Sequence, residues 1–190
     1  MIETIILALL IAKLRKYRLK PLLKEWSIYP VAALAVIYIY LDYMVYHGEY
    51  GLLKYSMLLK AAYMCIFSIL IFKHRLYKAG FIGAASISFG GILNSIAIHA
   101  NGGNMPVFPS LSYVTGYVKP DTFQRLMEYD KIHVLGSSSS RLVFLTDTID
   151  LGYSILSIGD VFFRVMPFVI IYGVVKSLNG FNSTVIHETV

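Results

Sequence analysis

The chain has 190 residues, of which 57% are hydrophobic and 15% charged, and its mean hydropathy is positive at +0.65. Soluble domains carry about a quarter charged residues, so a disordered chain, a secreted disulfide scaffold and an ordinary cytosolic enzyme are excluded, and the composition predicts an integral membrane protein. The formal charge of +6 comes from 17 Lys plus Arg against 11 Asp plus Glu; its clustering beside apolar runs is a topology signal, not a sign of nucleic-acid binding.

Five apolar segments are predicted in chain order, at about 2–14, 28–46, 52–72, 80–99 and 158–175. The expected fold is an all-α membrane bundle of about five transmembrane segments in a single domain. The first is short: at about 1.5 Å per residue it spans roughly 20 Å, less than a hydrocarbon core of ~30 Å. It lacks a small-residue cleavage site and has Glu3 ahead of its apolar run, so it reads as retained and not as a signal peptide. Trp26 and Tyr29 mark an interface at the start of the second segment, and Pro30 falls where a missing N–H costs little. Lys54 and Lys60 make the first part of the third segment interfacial or bundle-facing. Cys65 lies within an apolar run and reads as a small buried residue.

Lys13, Arg15, Lys16, Arg18, Lys20 and Lys24 follow the first segment, and Lys73, Arg75 and Lys78 follow the third. With both clusters inside, the N-terminus lies outside, the tail inside, and the 58-residue segment 100–157 faces out. The basic clusters also suit anionic headgroups, at about 1 kcal/mol per residue near the surface. The outer segment is too long to be a plain connection. It opens with the turn-rich Asn101-Gly-Gly-Asn-Met-Pro106. Two short amphipathic helices are predicted within it. One starts at Pro120-Asp121, with Asp121 as N-cap, and runs to about residue 131; the other spans about 141–150. Ser137 to Ser140 read as a hydrophilic hinge between them. No internal repeat is visible, which argues against an inverted-repeat transporter.

The fourth segment carries Gly83, Ser86, Gly90 and Asn94 along one stripe and Ala84, Ser88, Gly91, Ser95 and His99 along a neighbouring one. Small residues there let helices approach closely. Asn94 and His99 exceed what packing needs, and they read either as interhelical hydrogen-bonding groups or as lining of a polar site. Asp160, with Arg164 one turn later, reads equally as a macrodipole-compensating residue in a neutralised i, i+4 pair or as a functional group. Asp42 sits among Tyr38, Tyr43 and Tyr46, which read as an interfacial belt.

The candidate ligand-binding residues are therefore Asn94, His99, Asn101, Asn104, Asp147 and Asp160. Candidate catalytic groups are His99, His133, Asp147 and Asp160. Standard hydrolase, zinc-protease, nucleotide-binding and dithiol motifs are missing. No metal site and no cofactor is expected, because His99, His133 and Asp147 lack close ligand spacing. A serine of the 137–140 run with His133 and Asp147 is conceivable as a nucleophile system, but a serine run is more often a linker. Asn182-Ser-Thr184 matches a glycosylation sequon on the expected inner side.

Four elements recur in a recognisable order: the basic stretch Leu14-Arg15-Lys16-Tyr17-Arg18-Leu19, then Asn101 to Pro106, then Leu145-Thr-Asp147, then Ser157 to Asp160. In this order the chain resembles a family of small bacterial membrane proteins classed only as a domain of unknown function, from which it departs in its richness in Lys and Tyr. The resemblance implies a bacterial plasma membrane location and supplies no activity. The residues themselves favour a membrane binding or accessory subunit with an outward polar site. The alternatives are a membrane-embedded hydrolase or transferase at the outer surface and, third, a solute-uptake component. The partners expected are the lipid bilayer and a protein in the membrane, with no nucleic acid.

Overall fold

The structure, a computed structural model, describes the backbone of residues 2–187. The side chains of 56, 57 and 181–187 lie outside that description, and with them the Asn182 sequon. The five expected apolar segments are helical: α1 (Ile2–Leu14), α2 (Tyr29–Tyr46), α3 (Ser56–Lys73), α4 (Tyr77–Ala100), and a last segment that divides into α7 (Ile158–Phe163) and α8 (Val165–His187). The division falls where Pro167 has no N–H to donate to the Phe163 carbonyl four residues back. Between α4 and α7 lie β1 (Met105–Val107), α5 (Leu111–Thr115), α6 (Thr122–Leu126), β2 (His133–Leu135), β3 (Ile149–Asp150) and β4 (Ile155–Leu156).

Among the described residues three helical stretches are long and apolar enough to cross a membrane: Trp26–Tyr46, Tyr77–Ala100 and Ile158–Gly180. Their surfaces keep large apolar side chains exposed, among them Val36, Ile39, Phe81 and Phe89. That is the pattern of helices whose solvent is hydrocarbon. α1 has only 13 residues, and the 18-residue α3 carries Lys60 and Lys73.

The chain forms two compact units. The first comprises residues 1–37, 59–86 and 164–190. In it α1 packs along α8, burying Thr4, Ala8 and Ala12. These recur every four residues, so one small-residue face of the helix meets its neighbour. The two helices run parallel. Arg164 Nη1 donates to Glu3 Oε2 at 3.1 Å at one end, and at the other the Arg18 backbone exchanges hydrogen bonds with the Asn179 amide at 2.8 and 3.0 Å. Arg164 thus pairs with Glu3 and not with Asp160, as the i, i+4 spacing suggests. A Cβ at Gly83 would meet Met166 Cγ at 2.8 Å, so α4 and α8 touch backbone to side chain. Phe67, Leu70, Ile170, Ile171 and Val174 are among the fully buried residues of this unit.

The second unit holds residues 38–58 and 87–163. Its long segment differs from the two amphipathic helices expected. α6 covers only Thr122–Leu126, because the Asp130 carboxylate accepts from the backbone N–H groups of Ile132 and His133 at 2.9 and 3.3 Å and closes a turn that competes with further helix. Asp121 stands at the N-cap position without a side-chain capping bond, and lies 3.9 Å from Arg125. Residues 141–150 form a single 3₁₀ turn, Val143–Leu145, and then run extended into β3. The β-branched Thr146, Thr148 and Ile149 favour that backbone. β1 and β2 pair in parallel, Met105 with His133 and Val107 with Leu135; β3 and β4 pair antiparallel.

Candidate functional site

β1 is flanked on both sides. On one, Met105 N–H donates to the Ile132 carbonyl at 2.8 Å. On the other, Asp147 N–H donates to the Pro106 carbonyl at 3.1 Å, and Phe108 N–H to the Asp147 carbonyl at 2.8 Å. His133 stands opposite Met105 and Asp147 opposite Val107. Met105 and Val107 are two residues apart, so their partners project from one face. The local ladder therefore brings together an imidazole and a carboxylate that lie 14 residues apart in sequence.

His133 Nδ1 meets Asp130 Oδ2 at 2.6 Å, and its Nε2 lies 3.5 Å from Asp147 Oδ2. The two carboxylates differ in environment. Asp130 accepts two backbone N–H groups besides the imidazole, so although burial would raise its pKa, the His133 hydrogen bond and charge hold it at about 2. Asp147 is 4% exposed, and its Oδ1 is buried with no hydrogen-bond partner among the described residues. Burial pushes its carboxyl up to about 7; His133 pulls the other way, and Asp160 and Asp130 add to the rise. Burial alone would lower the His133 imidazole, but the Asp130 hydrogen bond and charge, followed by Asp147 and Asp160, carry it above its ordinary value. Three carboxylates thus act on one imidazole, and one buried acceptor is left open. Such a site can hold a proton or receive a hydrogen-bond donor.

Asp160 belongs to a second network. Ser157 caps α7: its Oγ accepts from Asp160 N–H at 3.0 Å while Asp160 Oδ2 accepts from Ser157 N–H at 3.0 Å. This is a reciprocal capping box written as Ser157-x-x-Asp160. Asn94 closes it, donating from Nδ2 to Asp160 Oδ1 at 3.1 Å and accepting Ser157 Oγ–H at 2.8 Å.

The other expected site residues separate from this centre. Asn101 is a clamp: its Nδ2 donates to the Ala97 and Arg141 carbonyls at 2.8 and 2.9 Å, and its Oδ1 accepts Arg141 N–H at 2.7 Å. Both its donors are used. His99 is exposed and lines a shallow open groove on α4 with Ser88, Gly91, Ile92, Ser95 and Ile96. Among the described residues Asn104 makes no side-chain hydrogen bond. Ser137 bonds Ser139 and Ser140, Ser140 Oγ accepting Ser137 N–H at 3.0 Å, and among the described residues no serine of 137–140 hydrogen-bonds His133. Among the described residues no group of three or more His, Cys, Asp and Glu is arranged to hold a metal ion.

Two residues were not singled out by sequence reasoning. Asp130 orients the imidazole, and its signal was the Asp-x-x-His spacing that a side-chain turn requires. Asp150 accepts from Ser110 N–H, Ser112 N–H, Ser112 Oγ–H and Gly152 N–H at 2.5 to 2.8 Å; burial notwithstanding, these bonds hold it at about 2.

A family model described as a family of unknown function, DUF5317, matches residues 20–172. That range contains the whole of the network just described, and also the Asn101 to Pro106, Leu145 to Asp147 and Ser157 to Asp160 elements. No curated protein and no solved structure matches the chain. The match covers most of the chain, and the protein belongs to DUF5317, a family of unknown function.

Proposed function

We propose that this protein is an integral membrane binding or accessory subunit. Its segment 100–157 presents a site, centred on Asp147 and His133, for a small polar ligand that donates hydrogen bonds through an ammonium, amide or hydroxyl group. The observation that carries this reading is the buried, unpartnered Oδ1 of Asp147 beside His133 Nε2. An acceptor left unmet in that way costs about 1–3 kcal/mol, a cost that a donor from a ligand would offset. Asp130, fixed to Nδ1, keeps the imidazole oriented so that Nε2 faces the same place. Asn94, Ser157 and Asp160 stiffen the adjoining helix start.

In this reading α1 and α3 complete five membrane segments, and the site faces the outside of a bacterial plasma membrane. The N-terminus is then outside and the C-terminus cytoplasmic. The parallel course of α1 and α8 agrees with that arrangement, in which both run from the outer to the inner face.

The test is mass spectrometry of small molecules released on denaturing the purified protein. A compound retained by the wild type and lost from Asp147→Ala and His133→Gln is expected. Identical profiles from all three would contradict the proposal, and a lipid or a protein as the released species would redirect it.

One observation favours a second reading, a hydrolase or transferase acting at the outer surface. Asp130 and His133 have the geometry of a base and its orienter. Nε2, the atom that would take the substrate proton, faces Asp147 and no nucleophile. A bell-shaped pH–rate profile abolished by His133→Gln would establish this alternative.

A further inference from the structure

The chain's formal charge of +6 resides in one place. Residues 13–24 contain six Lys and Arg and no Asp or Glu, and the rest of the chain balances at 11 against 11. All six basic side chains are exposed, and among the described residues none forms an ion pair with a carboxylate. The nearest acid in sequence, Glu25, is already engaged: Lys73 Nζ bonds it, His74 lies 3.9 Å away and Ser27 donates to it twice. Burial would raise the Glu25 carboxyl, but those bonds hold it at about 2. It therefore stays ionised and committed to Lys73, and does not neutralise the cluster.

The segment is also held in place, unlike a polybasic tail. The Arg18 backbone is clamped by Asn179, one residue before the end of the span Ile158–Gly180. Glu25 ties it to Lys73, four residues before the span Tyr77–Ala100, and Trp26 opens the span Trp26–Tyr46. One end of each span thus converges on this cluster. Between the charges Leu23 is 74% exposed and Trp26 59% exposed. Trp26 carries the Lys73 ammonium 4.1 Å from its ring centroid, and Tyr29 Oη donates to the Leu23 carbonyl at 2.7 Å. An exposed leucine and tryptophan set among unpaired cations at the end of apolar helices match the chemistry of a membrane–water boundary: apolar groups for the acyl chains, cations for the phosphates.

We propose that residues 13–24 are a preformed docking platform for the headgroups of anionic phospholipids. This inference is independent of the Asp147 site. Trp26 is the sole tryptophan, and it reports on the platform directly. The full chain is reconstituted in phosphatidylcholine vesicles containing brominated phosphatidylglycerol or, at the same mole fraction, brominated phosphatidylcholine. Stronger quenching of Trp26 by the anionic lipid is expected. Each neutralised lysine should lower that preference about fivefold, so Lys20→Gln with Lys24→Gln should lower it about 25-fold, while quenching by brominated phosphatidylcholine persists and reports insertion of the variant. Equal quenching by the two lipids in the wild type, or an unchanged preference in the double variant, would overturn the proposal.

Discussion

Gly159 lies directly against Asn94: a Cβ at position 159 would overlap Asn94 Oδ1 and come within 2.6 Å of the Gly90 carbonyl oxygen. The converse holds at Gly90, where a Cβ would overlap the Gly159 carbonyl and stand 3.0 Å from Phe162 Cβ. The start of α7 therefore rests on the backbone of α4, and the same approach delivers Asn94 to Ser157 and Asp160.

Gly159→Ala should destabilise the protein by about 1–3 kcal/mol, the usual cost of overpacking, read as a lowered melting temperature in detergent. Adding Asn94→Ala should recover part of that loss by removing the overlap with Oδ1. The contact with the Gly90 carbonyl would remain, so recovery should stay incomplete.

Asn101→Ala should free the backbone at Arg141, because three hydrogen bonds pass through that one amide. A loss of about 1–3 kcal/mol is expected, with faster hydrogen exchange of the Arg141 amide as the specific readout. Asn101→Asp should do no better, since a carboxylate would face two carbonyl oxygens in place of the amide donors.

The pH dependence of stability separates two aspartates of opposite sign. For Asp147 the pKa rises from 3.8 to about 7 on folding. Between those values the folded state binds more protons than the unfolded one, so this group's contribution is complete below about pH 4 and is lost as pH rises to about 7. Asp147→Asn should flatten that slope and raise the melting temperature relative to wild type above pH 7.

Asp150 behaves in the opposite way, its pKa falling from 3.8 to about 2. Its contribution is present above about pH 4 and is lost as pH falls toward 2. Asp150→Asn should weaken the protein at neutral pH by about 1–3 kcal/mol, because its NH₂ would face donors, and should remove this part of the acid sensitivity. Melting curves of both variants across pH check the two signs together.

The helices are legible in their long hydrophobic runs, and the close packing of α4 is legible in its glycines, though not the partner, the start of α7, that it meets. The capping pair Ser157 and Asp160 is half legible: the sequence puts Asp160 at a helix start and offers Arg164 one turn later as a possible partner, but Glu3 claims Arg164 from a distant part of the chain. The 100–157 segment was least legible. Its strands have two or three residues each, too short for periodicity to show, and its turns depend on Asp130 and Asp150 bonding to backbone. Asn101 and Asp147 have the same polar appearance in sequence, yet the fold uses every donor of the first and leaves an oxygen of the second unmet.

The functional reading stands on the position of segment 100–157 outside the cell. Ser138→Cys in a Cys65→Ser background, probed on intact cells with a membrane-impermeant maleimide, tests it most directly. Labelling of position 138 from outside without lysis is the predicted result; labelling only after the membrane is opened would contradict it.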